Sequence, residues 1–351
     1  MKGNFSPSVN IERDFGKKMP YIPTENAINA FNRIFGNQIN ATKSYCLIGT
    51  YGTGKSAFLL ATIEFFKGTN SHFQLPKSQS KNTEFLYFQG EYASLVRHFA
   101  DKLDSASENP KAILNAVEKK AEALSKNQSE LVIVLDEFGK FLEFASNHNP
   151  EKELYFVQQL AELANDSSRN ITFVTTLHQG FDAYGQSLNE SQVQEWEKVK
   201  GRLIEIPFNE PVEQLLKLAG NYLAENHASF QSVSNVGKTI KIVEQAQVFP
   251  LRSKLDAKFA KQLAPFDVLS AGVLAKALQK YGQNERSLFT FLESDANYGL
   301  RHYDLSNPYY NLSCVYDYLI DNFHSYLSTS RNADFIQWSA LRKAIERTEG
   351  H

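Results

Sequence analysis

A glycine-rich segment near residue 50 has the residue types and spacing of a phosphate-binding loop. It fits the pattern G-x-x-x-x-G-K-[ST], directly after a short apolar run and directly before a helical pattern. Glycines let backbone N–H groups converge on phosphate oxygens, and a following helix N-terminus adds partial positive charge. A glycine-rich turn without a ligand is the alternative. The loop comprises Gly49, Thr50, Tyr51, Gly52, Thr53, Gly54, Lys55 and Ser56, and Ala57 follows it in the helix.

Two acidic residues end a later apolar run and supply the carboxylates that such a loop needs. Asp136 and Glu137 follow the β-branched run at 131–135. We expect Lys55 to bridge the outer phosphates, the Ser56 hydroxyl and Asp136 to hold Mg²⁺, and Glu137 to orient and deprotonate an attacking water. The alternative is a buried strand that merely ends in acidic residues. The pattern predicts a nucleoside triphosphate with Mg²⁺ as ligands. We expect ATP as the nucleotide, and the sequence alone does not decide between ATP and GTP.

The elements that must position these residues alternate between strand and helix. Short apolar runs, each followed by a helical pattern, predict a parallel α/β sheet. Thr24 is expected to cap a first amphipathic helix. The predicted strands cover 44–48, 85–88, 131–135, 171–175 and 203–206, and the predicted helices between them cover 55–67, 92–103, 110–124 and 152–165.

The strand pattern stops at Pro211, where we place a domain boundary. Helical patterns follow at 212–223, 236–246, 266–280 and 286–293. The predicted organisation is a flexible lead-in at 1–20, an α/β core at 21–209, a helical lid at 210–300 and a helical tail at 301–351. The tail is expected to begin a further, truncated domain.

Composition narrows the class of protein. The 351 residues carry 37 Lys and Arg against 39 Asp and Glu, so no overall charge attracts nucleic acid, and any such contact needs a local patch. Cys46 and Cys314 lack metal-ligand spacing, which excludes zinc clusters and disulfide-stapled folds. With neither a signal sequence nor an apolar run of membrane-spanning length, the sequence predicts a cytoplasmic chain without a membrane partner.

With the loop and the acidic pair together, the chain resembles the AAA+ and related STAND branch of P-loop ATPases. The resemblance covers nearly the whole sequence and implies a five-stranded parallel sheet with flanking helices, followed by an α-helical lid. In that family a polar residue at the end of the next strand senses the γ-phosphate. Thr176 occupies this place, with Thr175 and His178 as substitutes. The alternative for Thr176 is a strand-end residue satisfied by the backbone, and for His178 a structural histidine.

The same resemblance implies two arginines and an adenine contact. Arg202, just before the last core strand, is placed like the finger that completes a neighbour's site, or it is a surface arginine paired with a glutamate. Arg286 resembles the lid arginine of the sensor 2 element, or lies on a helix surface. Tyr21 and Ile22 precede the first helix where the family contacts adenine, or form a hydrophobic staple.

A narrower similarity joins three segments to large bacterial ATPases from phage-defence loci, including BREX-type systems. The segments lie at 176–181, 195–202 and 283–288. Because such proteins are usually much longer than 351 residues, this resemblance implies that the chain is their N-terminal ATPase region and that an effector lies elsewhere.

Two functions fit these residues. The first is an AAA+-like ATPase that assembles into a homo-oligomer and couples hydrolysis to conformational change of a protein effector. The second is a nucleotide-gated switch of the STAND kind with little turnover. The sequence itself does not identify the effector or the number of subunits.

Overall fold

The computed structural model describes most of the chain, and its described residues fall into two compact units, Met1–Asn209 and Glu210–His351. The described residues are 9–17, 21–36, 42–76, 82–180, 184, 190–209, 212–226, 236–247, 257–281, 285–293, 295–303, 309–329 and 332–349.

The first unit is built on a five-stranded parallel sheet in the order β2-β3-β4-β1-β5. All five strands were predicted, and each lies within one or two residues of its expected bounds. Because the strands are parallel, their carboxyl ends lie at one edge of the sheet. The strands are β1 (Ser44–Ile48), β2 (Thr83–Gln89), β3 (Glu130–Asp136), β4 (Ile171–Leu177) and β5 (Ile204–Pro207).

Seven helices in the described part of this unit accompany the sheet. Four of the five helices expected here match closely, whereas α3 begins three residues later than predicted. Neither α5 nor α7 was predicted from the sequence, because α5 is short and begins with glycine and α7 is mostly polar. The helices are α1 (Glu25–Phe35), α2 (Lys55–Phe66), α3 (Leu95–Lys102), α4 (Pro110–Ser125), α5 (Gly139–Asn147), α6 (Pro150–Asn165) and α7 (Glu190–Lys200).

Alternating residues of the strands divide the core into two layers. Ile133 and Phe173 pack with side chains of α3 to α6, whereas Val132 and Val174, their neighbours along each strand, pack with α1 and α2. Side chains of a strand point alternately to its two faces, so a continuous apolar run fills both layers. The continuous apolar run of β3 from Leu131 to Leu135 follows from burial on both sides.

The first helix begins as predicted. Thr24 has extended backbone angles, and its side-chain oxygen accepts a hydrogen bond from the Ala27 amide at 3.1 Å. This N-cap satisfies one of the amides that the first turn of α1 leaves unpaired.

Residues 9–17 do not form the flexible lead-in that the sequence analysis expected. Ile11 is fully buried, and its amide donates to the Gln89 side chain at 3.3 Å. The Phe15 ring packs against Tyr87 of β2 with centroids 5.6 Å apart. The polar composition of this segment concealed these two apolar anchors, which fasten it beside the edge strand. The remaining residues of the expected lead-in, 1–8 and 18–20, lie outside the described residues.

The second unit is helical throughout its described residues. Tail and lid segments share one core, since Tyr310 and Tyr318 of the expected tail pack against Phe291 of the expected lid. The helices are α8 (Val212–Asn226), α9 (Val236–Gln245), α10 (Ala257–Gln262), α11 (Val268–Tyr281), α12 (Glu285–Glu293), a 3-10 turn (Leu300–His302), α13 (Leu312–Asn322), α14 (His324–Leu327) and α15 (Phe335–Glu349). Among the described helices of the whole chain, none combines the length and apolarity needed to cross a bilayer.

A buried carboxylate joins two helices of the first unit. Glu153 of α6 is 4% exposed, and its Oε2 accepts from the Leu95 and Val96 amides at 3.0 and 3.3 Å. Its Oε1 accepts from the hydroxyl of Ser94, the N-cap residue of α3. The carboxylate therefore completes the cap of α3, where the helix dipole favours negative charge.

We predict that Glu153→Ala lowers the free energy of unfolding of the first unit by about 3 kcal/mol, because it leaves two buried amides and a hydroxyl unsatisfied. Urea unfolding in a Trp338→Phe background measures this, since Trp196 then reports on the first unit alone. Glu151→Ala removes an exposed carboxylate from the same first turn of α6, so it is the control and should have little effect. An equal loss in both variants would contradict the capping role.

Candidate functional site

The sheet brings the phosphate loop and the acidic pair to the same edge. The loop leaves β1, the acidic pair ends β3, and β4 lies between these two strands. In register, Ile48 lies beside Leu177, and Leu135 lies beside Thr175. A single strand, β4, therefore separates the loop from the carboxylates at this edge of the sheet.

The loop backbone requires glycine at several positions. Gly52 and Gly54 have φ of 73° and 80°, in the left-handed region that favours glycine. At Gly49 a Cβ would lie 2.2 Å from the Phe208 carbonyl oxygen, so the loop passes too close to the end of β5 for a side chain. Gly54 caps α2 without a side-chain hydrogen bond. The first amides of α2 thus have no intrahelical acceptor and can bind an anion.

Lys55 folds back onto the loop. Its ammonium donates to the Gly49 carbonyl, to the Thr50 carbonyl at 2.9 Å and to the Thr53 hydroxyl at 3.3 Å. Burial lowers the pKa of Lys55 to about 8. The negative charges of Asp136 and Glu137 act in the opposite direction and raise this pKa. The loop carbonyls therefore hold the Lys55 ammonium within the loop. Phosphate oxygens of a bound nucleotide would replace these carbonyls as its hydrogen-bond acceptors.

Asp136 is a fully buried carboxylate. Its Oδ1 accepts from the Thr176 hydroxyl at 2.7 Å, whereas Oδ2 is buried without a hydrogen-bond partner. Burial raises its pKa, although the nearby hydroxyls of Thr176 and Ser56 act in the opposite direction. Burying a carboxylate is costly unless a cation or donors offset it. The arrangement is therefore suited to a cation.

Glu137 sits on a strained turn. Its φ is 50°, a left-handed conformation that is uncommon for glutamate. Its amide donates to Thr176 Oγ1 at 2.9 Å, and a Cβ at Gly90 would lie 2.1 Å from its carbonyl oxygen. The Glu137 side chain is 35% exposed and pairs with Lys140 at 2.5 Å. The backbone is thus fixed while the carboxylate lies toward solvent.

The environment of Thr176 differs from the one that a sensor of the γ-phosphate requires. It is 1% exposed, and its single hydroxyl proton is donated to Asp136 while its oxygen accepts from the Glu137 amide. It has no proton left to donate to a phosphate in this conformation. Thr175, the first substitute, is also buried and donates to the Tyr45 carbonyl at 3.3 Å. Thr176 therefore holds Asp136 and the Glu137 amide through these two hydrogen bonds, and we call this its clamp role.

His178, the second substitute, joins a cluster of aromatic side chains. Its ring stacks on Tyr51 of the phosphate loop with centroids 4.2 Å apart. Its Nε2 lies 3.0 Å from the Tyr51 hydroxyl and 2.9 Å from the Tyr184 hydroxyl. Burial, together with the charge of Lys55, lowers the pKa of His178 and favours the neutral ring. The phosphate loop is therefore linked to the end of β4 through an imidazole.

Arg202 forms contacts within its own chain. Its guanidinium pairs with Glu162 of α6 at 2.5 Å and donates to the Lys198 carbonyl at 2.6 Å. This is the surface ion pair that the sequence analysis gave as the alternative to a finger. A role in a neighbour's site requires these contacts to break.

The remaining expected site residues are not joined to this cluster by any described contact. The Tyr21 ring lies near His72 and Phe73, with centroids 5.5 and 6.3 Å away, and Ile22 is 47% exposed. Arg286 lies in the first turn of α12, and its side chain is outside the described part of the structure. An adenine contact and a lid arginine stay predictions.

Sequence reasoning missed three residues of the site. Lys140 follows Glu137 by three positions, a spacing that signals a contact once a helix is recognised there. Gly90 and Tyr184 carry no local signal in the sequence. Gly90 matters because it lies close to Glu137, and Tyr184 because it packs over Gly139. A Cβ on Gly139 would lie 2.5 Å from the Tyr184 hydroxyl.

The site fits Mg²⁺ with nucleotide. The buried and unpartnered Oδ2 of Asp136 and the neighbouring Ser56 hydroxyl are oxygen donors of the kind that Mg²⁺ prefers. No group of three or more His, Cys, Asp or Glu in the described residues forms a metal cluster. A cation here would therefore need oxygens from phosphate and water as well, which is how Mg²⁺ binds in phosphate-loop sites.

Comparison with known proteins finds solved structures that match this chain at low sequence identity and with TM-scores below 0.5. No protein-family model and no curated protein matches the sequence. Cdc6p from Pyrobaculum aerophilum is 17% identical over 79% of this chain and 68% of its own, with a TM-score of 0.38. ORC from Drosophila, in a structure bound to DNA, is 13% identical over 88% of this chain and 64% of its own, with a TM-score of 0.46. PCH-2 from C. elegans is 12% identical over 87% of this chain and 67% of its own, with a TM-score of 0.39.

The fold class follows from the molecule's own topology. A phosphate-loop pattern after β1, an acidic pair at the end of β3 and the strand order β2-β3-β4-β1-β5 define a five-stranded parallel α/β fold that carries a phosphate loop, followed along the chain by a helical unit. This class was predicted from the sequence and is confirmed.

We predict that Thr176→Val weakens Mg²⁺-dependent nucleotide binding about tenfold, because it removes one hydrogen bond to the charged Asp136 and another from the Glu137 amide. Calorimetric titration of ADP with and without Mg²⁺ measures the effect. Thr176→Ser retains the hydroxyl and is the matched control. Binding by Thr176→Val at the wild-type level would contradict the clamp role.

Proposed function

We propose that the chain binds ATP with Mg²⁺ and hydrolyses it. One observation carries this proposal: a buried carboxylate with an unpartnered oxygen, Asp136, lies one strand away from a phosphate loop whose lysine is held by loop carbonyls. A merely structural loop has no need of a costly buried carboxylate beside it.

The roles follow from the chemistry of each side chain. Lys55 and the first amides of α2 bind the phosphates, and Ser56 and Asp136 hold Mg²⁺. When bound, Mg²⁺ neutralises charge that develops on the transferring phosphate. Glu137 takes a proton from water as the water oxygen bonds to the γ-phosphorus. The bond from that phosphorus to the bridging oxygen breaks, which yields ADP and phosphate.

The proposal extends to a homo-oligomer that acts on a protein effector. Its support is the placement of Arg202 before β5, from which it could serve a neighbouring subunit after leaving Glu162. Three short sequence segments resemble phage-defence ATPases and support antiviral defence as the process. The near-neutral charge of the chain gives no support to nucleic acid as the partner.

A nucleotide-gated switch with little turnover is the second candidate. One ion pair favours it, because Glu162 holds Arg202 within its own chain. The arginine that would speed hydrolysis in a neighbouring subunit is thus already engaged. In a switch, nucleotide would hold one conformation, and hydrolysis would be slow.

We predict that Glu137→Gln abolishes ATP turnover, with a loss of at least about a hundredfold, while ADP affinity stays near wild type, because the amide cannot accept a proton. Turnover is measured over a series of protein concentrations, with mass determined by light scattering in the same samples. A wild-type rate per subunit that rises with assembly supports the ATPase. Tight binding without Glu137-dependent turnover at any concentration supports the switch.

We predict that Arg202→Ala lowers turnover in the assembled state by about a hundredfold or more, because a finger offsets charge in the transition state. Glu162→Gln breaks the same ion pair but keeps the arginine, so it should retain turnover. Mixing Arg202→Ala with Lys55→Ala subunits should restore part of the activity at mixed interfaces. Equal losses in Arg202→Ala and Glu162→Gln, with no recovery on mixing, would mean that Arg202 is only structural.

A further inference from the structure

The first turn of α5 places a second lysine at the site. Lys140 Nζ lies 2.5 Å from Glu137 Oε2, three residues back along the chain. The hydrogen bond to Glu137 raises the pKa of Lys140, with burial acting in the opposite direction. Lys140 belongs to neither the phosphate-loop pattern nor the acidic pair, and the proposed function does not use it.

The backbone of Glu137 is fixed while its side chain is not. The Thr176 hydroxyl holds the amide, and Gly90 lies against the carbonyl oxygen. Beyond the Cα, three side-chain torsions separate this rigid turn from the carboxylate. In the described part of the chain, Lys140 is the one side chain paired with that carboxylate. The ion pair therefore restricts a group that the backbone alone leaves free to rotate.

This ion pair contributes little to folding. The Lys140 and Glu137 side chains are 47% and 35% exposed, so water screens their attraction. Partly exposed pairs of this kind contribute little to the stability of a fold. Removing Lys140 should consequently leave the fold intact, which makes the residue suitable for a clean test.

We propose that Lys140 is a positioning residue for Glu137. It holds Oε2 and so orients the other carboxylate oxygen toward the attacking water. The inference rests on the hydrolytic function proposed above. Orientation of a general base affects the rate of the chemical step and leaves nucleotide binding unchanged, because the phosphates contact other residues.

Replacing Lys140 tests this role. Lys140→Met should lower kcat about tenfold, with KM for ATP, ADP affinity and melting temperature unchanged, since a misplaced base loses part of its effect. Lys140→Arg keeps a donor to Oε2 and should restore most of kcat. In a Glu137→Gln background, Lys140→Met should cause no further loss.

The chain supplies a closely matched control. Lys198 and Glu195 of α7 form an ion pair with the same three-residue spacing and the same 2.5 Å distance, and their side chains are 50% and 35% exposed. Lys198→Met therefore removes an equivalent pair at another place and should leave kcat at the wild-type value. A loss of kcat in Lys198→Met equal to that in Lys140→Met would overturn the inference.

A second measurement needs neither nucleotide nor turnover. NMR titration of the lysine side chains should give Lys140 a pKa above its usual range in the wild type, and Glu137→Gln should lower it toward the ordinary value. An unchanged Lys140 titration in Glu137→Gln would show that the pair is absent in solution and would overturn the inference.

The outcomes separate this inference from the proposed function. If the wild type shows no Glu137-dependent turnover at any concentration, both fall together. If the wild type turns over ATP and Lys140→Met equals or exceeds its kcat, the positioning role falls and the proposed hydrolysis stands.

Discussion

A carboxylate without access to solvent is the constraint on which the site depends. Asp136 follows five buried apolar residues of β3, and an unbalanced carboxylate there would be costly. The Thr176 hydroxyl satisfies one of its oxygens, which accounts for a buried polar residue near the end of β4. The second oxygen stays without a hydrogen-bond donor, so binding of a cation would relieve a cost already present in the fold.

The same hydroxyl determines the shape of the following turn. By accepting from the Glu137 amide, Thr176 helps to hold that residue in a left-handed conformation, which side chains rarely adopt. The close approach of Gly90 belongs to the same arrangement, since any larger residue there would collide with the Glu137 carbonyl. Strain at this turn directs the Glu137 side chain out of the core while its neighbour stays inside. Two adjacent acidic residues thereby acquire different environments.

Weak contacts surround this rigid centre. The ion pairs of Glu137 with Lys140 and of Arg202 with Glu162 are partly exposed, and each contributes little to stability. Such pairs can rearrange at small cost when nucleotide or a second subunit offers other partners. In the proposed function, the fixed residues would bind nucleotide and the partly exposed ion pairs would be free to change. The two candidate functions, a hydrolysing ATPase and a nucleotide-gated switch, would use the same binding residues and would differ in how readily these ion pairs exchange partners.

The sequence alone determined the class of fold and the binding end of the site. Apolar periodicity fixes strands within one or two residues, and the loop pattern depends on local backbone geometry, so Gly49, Lys55 and Ser56 are recognisable without a structure. Their partnership with Asp136 also follows, because parallel strands end at one edge. The helices α5 and α7 escaped prediction, since tertiary burial rather than periodicity stabilises short or polar helices.

Tertiary structure decided what each side chain contacts. Thr176 appeared free to sense phosphate, yet only the packing of β4 between β1 and β3 shows that its proton is already committed to Asp136. The pairing of Arg202 with Glu162 and the packing of Tyr184 over Gly139 likewise join residues about 40 positions apart. Sequence spacing specifies local geometry, whereas hydrogen-bond partners across strands depend on which segments the core brings together. The chemistry available at this site was therefore evident from the sequence, and the state in which its residues are held came from the fold.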